Sequence, residues 1–413
     1  MASAPREANL YEDPERFRFV GSIEGVPKLP FPAPAAGEPW RVAAQAALDT
    51  AARVLPGVAI AGLLAFAAVA ATEWIGVAWL GFEQTPAPPA LAAILLGLLI
   101  RNALGLPASY DEGLRFCVQR VLRVGVALLG LRLSLAAVGG IGLAALPIVA
   151  ACIATALALV TVVNRFLGLP GRLGTLIAVG TAICGNSAIA ATGPAIGARE
   201  DEVSYAVGCV TLFGLFALIV YPFASQALFA GDPRLAGLFL GAAIHDTAQV
   251  AGAGMLAAQH FGDPAVLDTA AVTKLLRNAF MIVVVPGAAW LHQREAVGAA
   301  RTRVARIPKW QQVVPVFVLG FLALALLRTL GDLGGDAPFG GALAIGSWHD
   351  LLSSGLSLSG WCLALAMAAI GLGTNLRQLR GLGLRPLGVG LVAAVTVGAV
   401  AAGLILLLAP WIA

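Results

Sequence analysis

The residues best able to do chemistry in this chain of 413 residues stand in three short runs. The first, Gly241–Gly254 (GAAIHDTAQVAGAG), holds His245, Asp246, Thr247 and Gln249 together in an otherwise apolar stretch. An imidazole beside a carboxylate can take up and exchange protons. Read as one helix, His245 and Gln249 share a face four residues apart, and Asp246 and Gln249 are neighbours three apart. The second run, Val272–Val284 (VTKLLRNAFMIVV), carries Lys274, Arg277 and Asn278. Its two cations are three apart and lie on roughly one helix face. Part of their charge would be neutralised by Asp246 and part would remain for an anionic ligand. The third run, Gly180–Ala191 (GTAICGNSAIAA), centres on Cys184, Gly185, Asn186 and Ser187. A glycine, an amide and a hydroxyl interrupt an apolar run there, as expected of a helix broken around a binding site. The plainer reading is a glycine-rich helix contact with polar side chains as glue.

The elements that must position these residues are membrane helices. The chain is 59% hydrophobic and only 12% charged, with a mean hydropathy of +0.88, whereas soluble domains carry about 25% charged residues. The five cysteines (Cys117, Cys152, Cys184, Cys209 and Cys362) fall in or beside apolar segments, unlike a secreted disulfide framework. The formal charge of +4 suits basic cytoplasmic loops rather than nucleic-acid binding. The first 40 residues are charged and rich in proline and lack the apolar core of a signal peptide.

Residues 1–53 read as a cytoplasmic tail, with an interfacial helix over 41–53, and 54–413 as the transmembrane domain. Eleven apolar spans are expected near 54–80, 88–105, 114–136, 141–164, 173–196, 203–230, 234–258, 268–291, 311–330, 354–374 and 386–412. With the N-terminus inside and the C-terminus outside, nearly all basic loop residues become cytoplasmic. The outer loops then receive only Arg199 and Arg328 with acids such as Asp201 and Asp263. In the third span Arg120 and Arg123 are expected to snorkel to the inner surface, and Arg132 to sit at the outer interface.

Val118–Gly130 (VQRVLRVGVALLG) and Val272–Val284 share a pattern while starting on opposite sides of the membrane. This predicts an inverted repeat of five plus five spans, about 88–230 and about 234–413, after one extra N-terminal helix. The broken fifth span would then answer to the tenth, whose end AIGLGTNL (Ala369–Leu376) supplies Thr374 and Asn375.

GTAICGNSAIAA, VTLFGLFALIVYP (Val210–Pro222), GAAIHDTAQVAGAG, TKLLRN (Thr273–Asn278) and AIGLGTNL, in this order, resemble the YeiH-type sulfate exporter family of bacterial membrane proteins. The likeness covers about residues 55–413. It implies an inner-membrane protein that exports sulfate or a related sulfur oxyanion. Its design resembles bile-acid symporters and sodium/proton antiporters, in which two broken helices cross, and that analogy favours spans five and ten as the crossing pair.

Together these readings predict an all-α secondary transporter of a small anion working by alternating access. Cys184, Gly185, Asn186, Ser187, Thr374 and Asn375, with Lys274 and Arg277, would hold the anion. His245, Asp246 and Gln249 would bind the coupling H+ or Na+, the one cation site foreseen. No cofactor, other metal or nucleic-acid partner is expected, and a homodimer is left open. The alternatives are a sodium/proton antiporter without an anion substrate, a passive channel, and an intramembrane enzyme with Cys184 or Ser187 as nucleophile and His245 as base.

Overall fold

The structure, a computed structural model, describes residues 39–74, 89–229, 231–296, 316–333, 338–375 and 384–412. The tail over 1–38, Trp79, Arg301–Lys309, Asp336, Arg377 and Arg380 lie outside the described residues. Among the described residues all regular structure is helical. Six helices there are long and apolar enough to cross a bilayer: Gln45–Thr72, Leu135–Phe166, Asp201–Phe229, Ala265–His292, Ile345–Gly373 and Arg385–Trp411. The protein is therefore an α-helical, multi-pass membrane protein.

Helix α1 (Pro39–Glu73) runs without interruption through the stretch expected to form an interfacial helix. It is followed by α2 (Pro89–Leu99) and by a mixed helical rod built of α3 (Asp111–Phe116), a π-turn, α4 (Leu122–Leu128) and a 3₁₀ turn ending at Arg132. Next come α5 (Leu135–Phe166), α6 (Gly171–Ala182), α7 (Asn186–Ile196) and α8 (Glu200–Phe229). Then follow α9 (Pro233–Ala243), α10 (Thr247–Phe261), α11 (Ala265–Ala279) and α12 (Met281–Ala296). The last three are α13 (Val316–Asp332), α14 (Ile345–Gly373) and α15 (Leu384–Ile412). Side chains cap several starts, as where Asp232 accepts from the Arg234 and Leu235 amides ahead of Pro233.

The helices sort into two bundles. One contains α1, α2, α3, α4, α13 and α14; the other contains α5 to α12 and α15. Within each, small residues let backbones approach closely. A Cβ on Gly241 of α9 would lie 2.6 Å from the Ala270 carbonyl oxygen of α11, and one on Gly371 of α14 would lie 2.4 Å from the Ile94 carbonyl oxygen of α2. The bundles meet mainly where α10 lies against α2 and α14, and where α13 touches α5.

Among the described residues, two of the expected spans are broken in their middles by non-helical backbone, and they are the fifth and the seventh. The fifth divides into α6 and α7, the seventh into α9 and α10. The tenth, expected to be the second broken helix, runs unbroken as α14 to its end at Gly373, with Thr374 as C-cap. The correction has a physical cause. A helix break frees carbonyls that need donors, and buried cations reach such carbonyls at the fifth and seventh spans. Thr374 instead hydrogen-bonds its own helix, its hydroxyl donating to the Ile370 carbonyl at 2.7 Å.

Candidate functional site

The first break is made by Ile183 (φ −120°, ψ −96°), Cys184 and Gly185 (φ +67°, ψ −120°). The Gly185 conformation is one that only glycine adopts readily, and a Cβ there would come within 3.0 Å of Asp246 Oδ2. The second break is the extended stretch Ile244 (ψ 141°), His245 and Asp246 (ψ 145°). Four half-helix ends therefore gather in one place: the carboxyl ends of α6 and α9, and the amino ends of α7 and α10.

Helix α11 serves the two carboxyl ends. Its packing on α9 brings Lys274 and Arg277 into the interior, 1% and 0% exposed. Lys274 Nζ donates to the carbonyls of Ile183 and Ile244, both at 2.8 Å, and to that of His245. Arg277 donates through Nε to Ala182 (2.7 Å), through Nη1 to Ala242 (2.6 Å) and Ile244 (2.9 Å), and through Nη2 to Thr181. The cations answer the partial negative charge that each helix accumulates at its carboxyl end. All three Lys274 protons and most of those on Arg277 are thus spent on backbone oxygens. The ammonium and guanidinium expected to face an anion directly are built into the breaks instead.

Asp246 serves the two amino ends. Its Oδ1 accepts from the Ala248 amide at 2.8 Å, and Gln249 Oε1 accepts from the Asp246 amide at 3.2 Å, a capping box that starts α10. The carboxylate also stands beside the start of α7, its Oδ2 lying 3.0 Å from where a Cβ on Gly185, the N-cap residue, would be. One carboxylate therefore sits on the positive ends of both half-helices. Asp246, Thr247, Asn186 and Ser187 are all half-buried, whereas His245, Gln249, Lys274, Arg277 and Asn278 are buried. The accessible part of the site is its amino-end side, lined by a carboxylate, two hydroxyls and an amide.

Second contacts hold this arrangement. Gln249 Nε2 donates to the Thr211 carbonyl at 3.2 Å, the Thr211 hydroxyl donates to Asn186 Oδ1 at 3.4 Å, and Asn278 Nδ2 donates to Thr247 Oγ1 at 3.2 Å. A Cβ on Gly214 would lie 1.9 Å from Gln249 Oε1, so α8 can pass the site only with glycine there. Thr211 and Gly214 escaped the sequence reading, since a threonine and a glycine in the apolar run VTLFGLF carry no signal of their own. His245 does not share a helix face with Gln249, because the break leaves it outside α10. Its ring lies beside the Thr181 backbone, and neither nitrogen has a partner of normal hydrogen-bond geometry. The Cys184 thiol lies 3.6 Å from the Met281 sulfur. Thr374 and Asn375 stand apart from the breaks, at the end of α14 against α2, where Asn102 Nδ2 donates to the Thr374 carbonyl at 3.0 Å. There Asn375 lines a cleft of about 200 Å³ with Arg101, Asn102 and Leu104–Leu106. Among the described residues no cluster of histidine, cysteine or acidic side chains could hold a metal ion.

Fold and site together define a polytopic helical membrane protein built around two interrupted helices with compensated ends. Residues 61–390 match the family described as Conserved hypothetical protein 698, and the chain belongs to that family. A UPF0324 membrane protein of Agrobacterium fabrum is 33% identical over 358 residues, covering 86% of this chain and 93% of the relative. Relatives of the same description from Bordetella pertussis (32% identical; 82% and 90% covered) and Streptococcus pyogenes serotype M18 (34%; 80% and 91%) are similar over nearly the same extent.

Proposed function

We propose that this protein is a secondary active transporter that moves a small oxyanion, of the sulfate or sulfite class, by alternating access coupled to H+ or Na+. The observation that carries the reading is the half-buried Asp246 carboxylate on the amino ends of two half-helices, in the middle of two interrupted helices. Breaks of this kind are tolerated in a bilayer only where they are buried in protein or line a cavity, and transporters bind substrate at them. The amino ends of α7 and α10, with Asn186, Ser187 and Thr247, offer donors suited to an anion. Asp246 offers the carrier for the coupling cation. The sulfur oxyanion rests on the resemblance to the sulfate exporter family, and export on the same ground. Two bundles that touch over a limited area suit rocking of one against the other. No catalytic role is proposed for Cys184 or Ser187.

The membrane arrangement proposed with this reading is eleven spans in the bacterial inner membrane, N-terminus inside and C-terminus outside. A reporter that fluoresces only in the cytoplasm should be active at the N-terminus, and a phosphatase that works only outside should be active at the C-terminus. The reverse pattern would refute the orientation.

The function is tested with purified protein in proteoliposomes, following labelled sulfate under imposed pH and sodium gradients. Flux should follow one gradient, and Asp246→Asn should abolish that dependence while the protein still folds. Fully coupled transport by the variant would remove Asp246 from the mechanism. A second reading, a sodium/proton antiporter, is favoured by the presence of two titratable side chains at the same pair of helix breaks: Asp246 at the start of α10, and Lys274 on the carbonyls of Ile183, Ile244 and His245. Sodium-driven proton release with no sulfate flux would select it.

A further inference from the structure

Hydrogen bonds made behind the two amino ends fix which groups there give a proton and which only receive one. The Thr211 hydroxyl donates to Asn186 Oδ1 at 3.4 Å, which leaves Asn186 its Nδ2 protons to give. Asn278 Nδ2 donates to Thr247 Oγ1 at 3.2 Å, which leaves the Thr247 proton to give. Ser187, half-buried next to Asn186, adds a second hydroxyl. These donors are neutral, while Lys274 and Arg277 are spent on the carboxyl ends. Two acceptors accompany them. Asp246 is half-buried and uses one oxygen to accept from the Ala248 amide at 2.8 Å, whereas an ionised carboxylate has about four acceptor positions. Asn278 is 1% exposed, and among the described residues its Oδ1 has no hydrogen-bond partner. The other end of that same amide holds Thr247, the first residue of α10, so the unpaired oxygen belongs to this site.

A fully deprotonated oxyanion brings acceptors only. It would satisfy Asn186, Ser187 and Thr247, but it would meet Asp246 as a like charge and leave Asn278 Oδ1 bare. An oxyanion that keeps one hydrogen carries a single charge and brings a donor of its own. Building on the anion-transport reading, we infer that this site selects singly charged oxyanions that bear a hydrogen, hydrogensulfite in preference to sulfate. The bare oxygens of the anion take the protons of Asn186, Ser187 and Thr247. Its hydrogen is given on the acceptor side, formed by Asp246 and Asn278 Oδ1. A site built to pair a ligand's own donor discriminates against the analogue that lacks it, because the acceptors are then left unpaired. Asp246 and Asn278 thus set specificity, and the cations of α11 take no part in it.

The test is equilibrium binding to the purified full-length protein in lipid nanodiscs at pH 6. One pair of probes is hydrogensulfite and sulfate. The other is hydrogen methylphosphonate and methanesulfonate, which have the same shape and charge there and differ in one hydrogen. Wild type should bind the hydrogen-bearing member of each pair about tenfold more tightly or better. Asp246→Asn and Asn278→Leu should each shrink that preference by about threefold or more. A merely structural loss weakens both members of a pair together and leaves their ratio unchanged. Thermal melting shows that each variant folds, and the wild-type ratios decide where one does not. Equal binding within the second pair by wild type, or an unchanged ratio in either folded variant, would overturn the selection and leave anion transport standing. Binding of none of the four anions would overturn both.

Discussion

A carbonyl freed by a helix break inside a bilayer has no water to accept from, and leaving it bare costs several kcal/mol. Lys274 and Arg277 are explained by that need. Each bridges carbonyls of both breaks, so each ties two helices together as well as satisfying them. Lys274→Met keeps most of the side-chain volume and removes three donors. It should destabilise the protein by roughly 3 kcal/mol or more, since each unsatisfied buried acceptor costs about 1–3 kcal/mol. Thermal melting of the purified protein in detergent would show this as a clear fall in Tm, and an unchanged Tm would deny the cation its structural part. The sequence marked Lys274 and Arg277 as exceptional because charge in an apolar run always is. What it lacked was the identity of their partners. The carbonyls of Thr181, Ala182, Ala242 and Ile244 carry no side-chain signature, and they belong to segments far from Lys274 in the chain.

Among the elements, the fifth span was legible as broken because a glycine followed by an amide and a hydroxyl is unusual in a membrane helix. The seventh was read as a continuous helix with its polar residues on one face. Yet HDTAQ contains the signature of a helix start, an aspartate with a glutamine three residues later. That capping box divides α9 from α10. The repeat suggested by Val118–Gly130 and Val272–Val284 pointed to the tenth span instead, and there, among the described residues, no buried cation donates to the carbonyls at the end of α14. Gly185 is the hinge of the first break and fits beneath Asp246. Gly185→Ala should cost about 1–3 kcal/mol for a positive-φ backbone that side chains rarely adopt and push Asp246 off the α7 amino end. The expected result is a folded protein whose anion flux in proteoliposomes falls at least tenfold. Wild-type flux from this variant would show that the approach of Asp246 to α7 is dispensable.

For the whole molecule, the decisive feature is the division into two bundles with polar contacts across it. Arg132, expected at the outer interface, has its Nε 3.2 Å from Asp268 Oδ1 of α11, linking the end of the α3–α4 rod to the bundle that carries the breaks. Both side chains are largely buried, at 25% and 11% exposed, so the pair is more than a surface ion pair. A double-mutant cycle of Arg132→Gln and Asp268→Asn, followed by thermal or denaturant unfolding, should return a coupling energy of about 1–3 kcal/mol. Additive effects of the two changes would mean that the pair does not join the bundles. Composition and hydropathy alone determined that this chain is a helical membrane protein, because burying so many apolar residues with so few charges allows no soluble fold. Sequence also determined which side chains are costly enough to require a reason: Asp246, Lys274, Arg277 and the polar centre at Asn186. The tertiary structure alone decided which of them meet. It turned Lys274 and Arg277 toward carbonyls, put Asp246 at two amino ends at once, and took Thr374 and Asn375 out of the site. Those outcomes depend on how helices distant in sequence pack, where small residues permit contact and freed backbone groups demand it, and no local pattern of residue types encodes that.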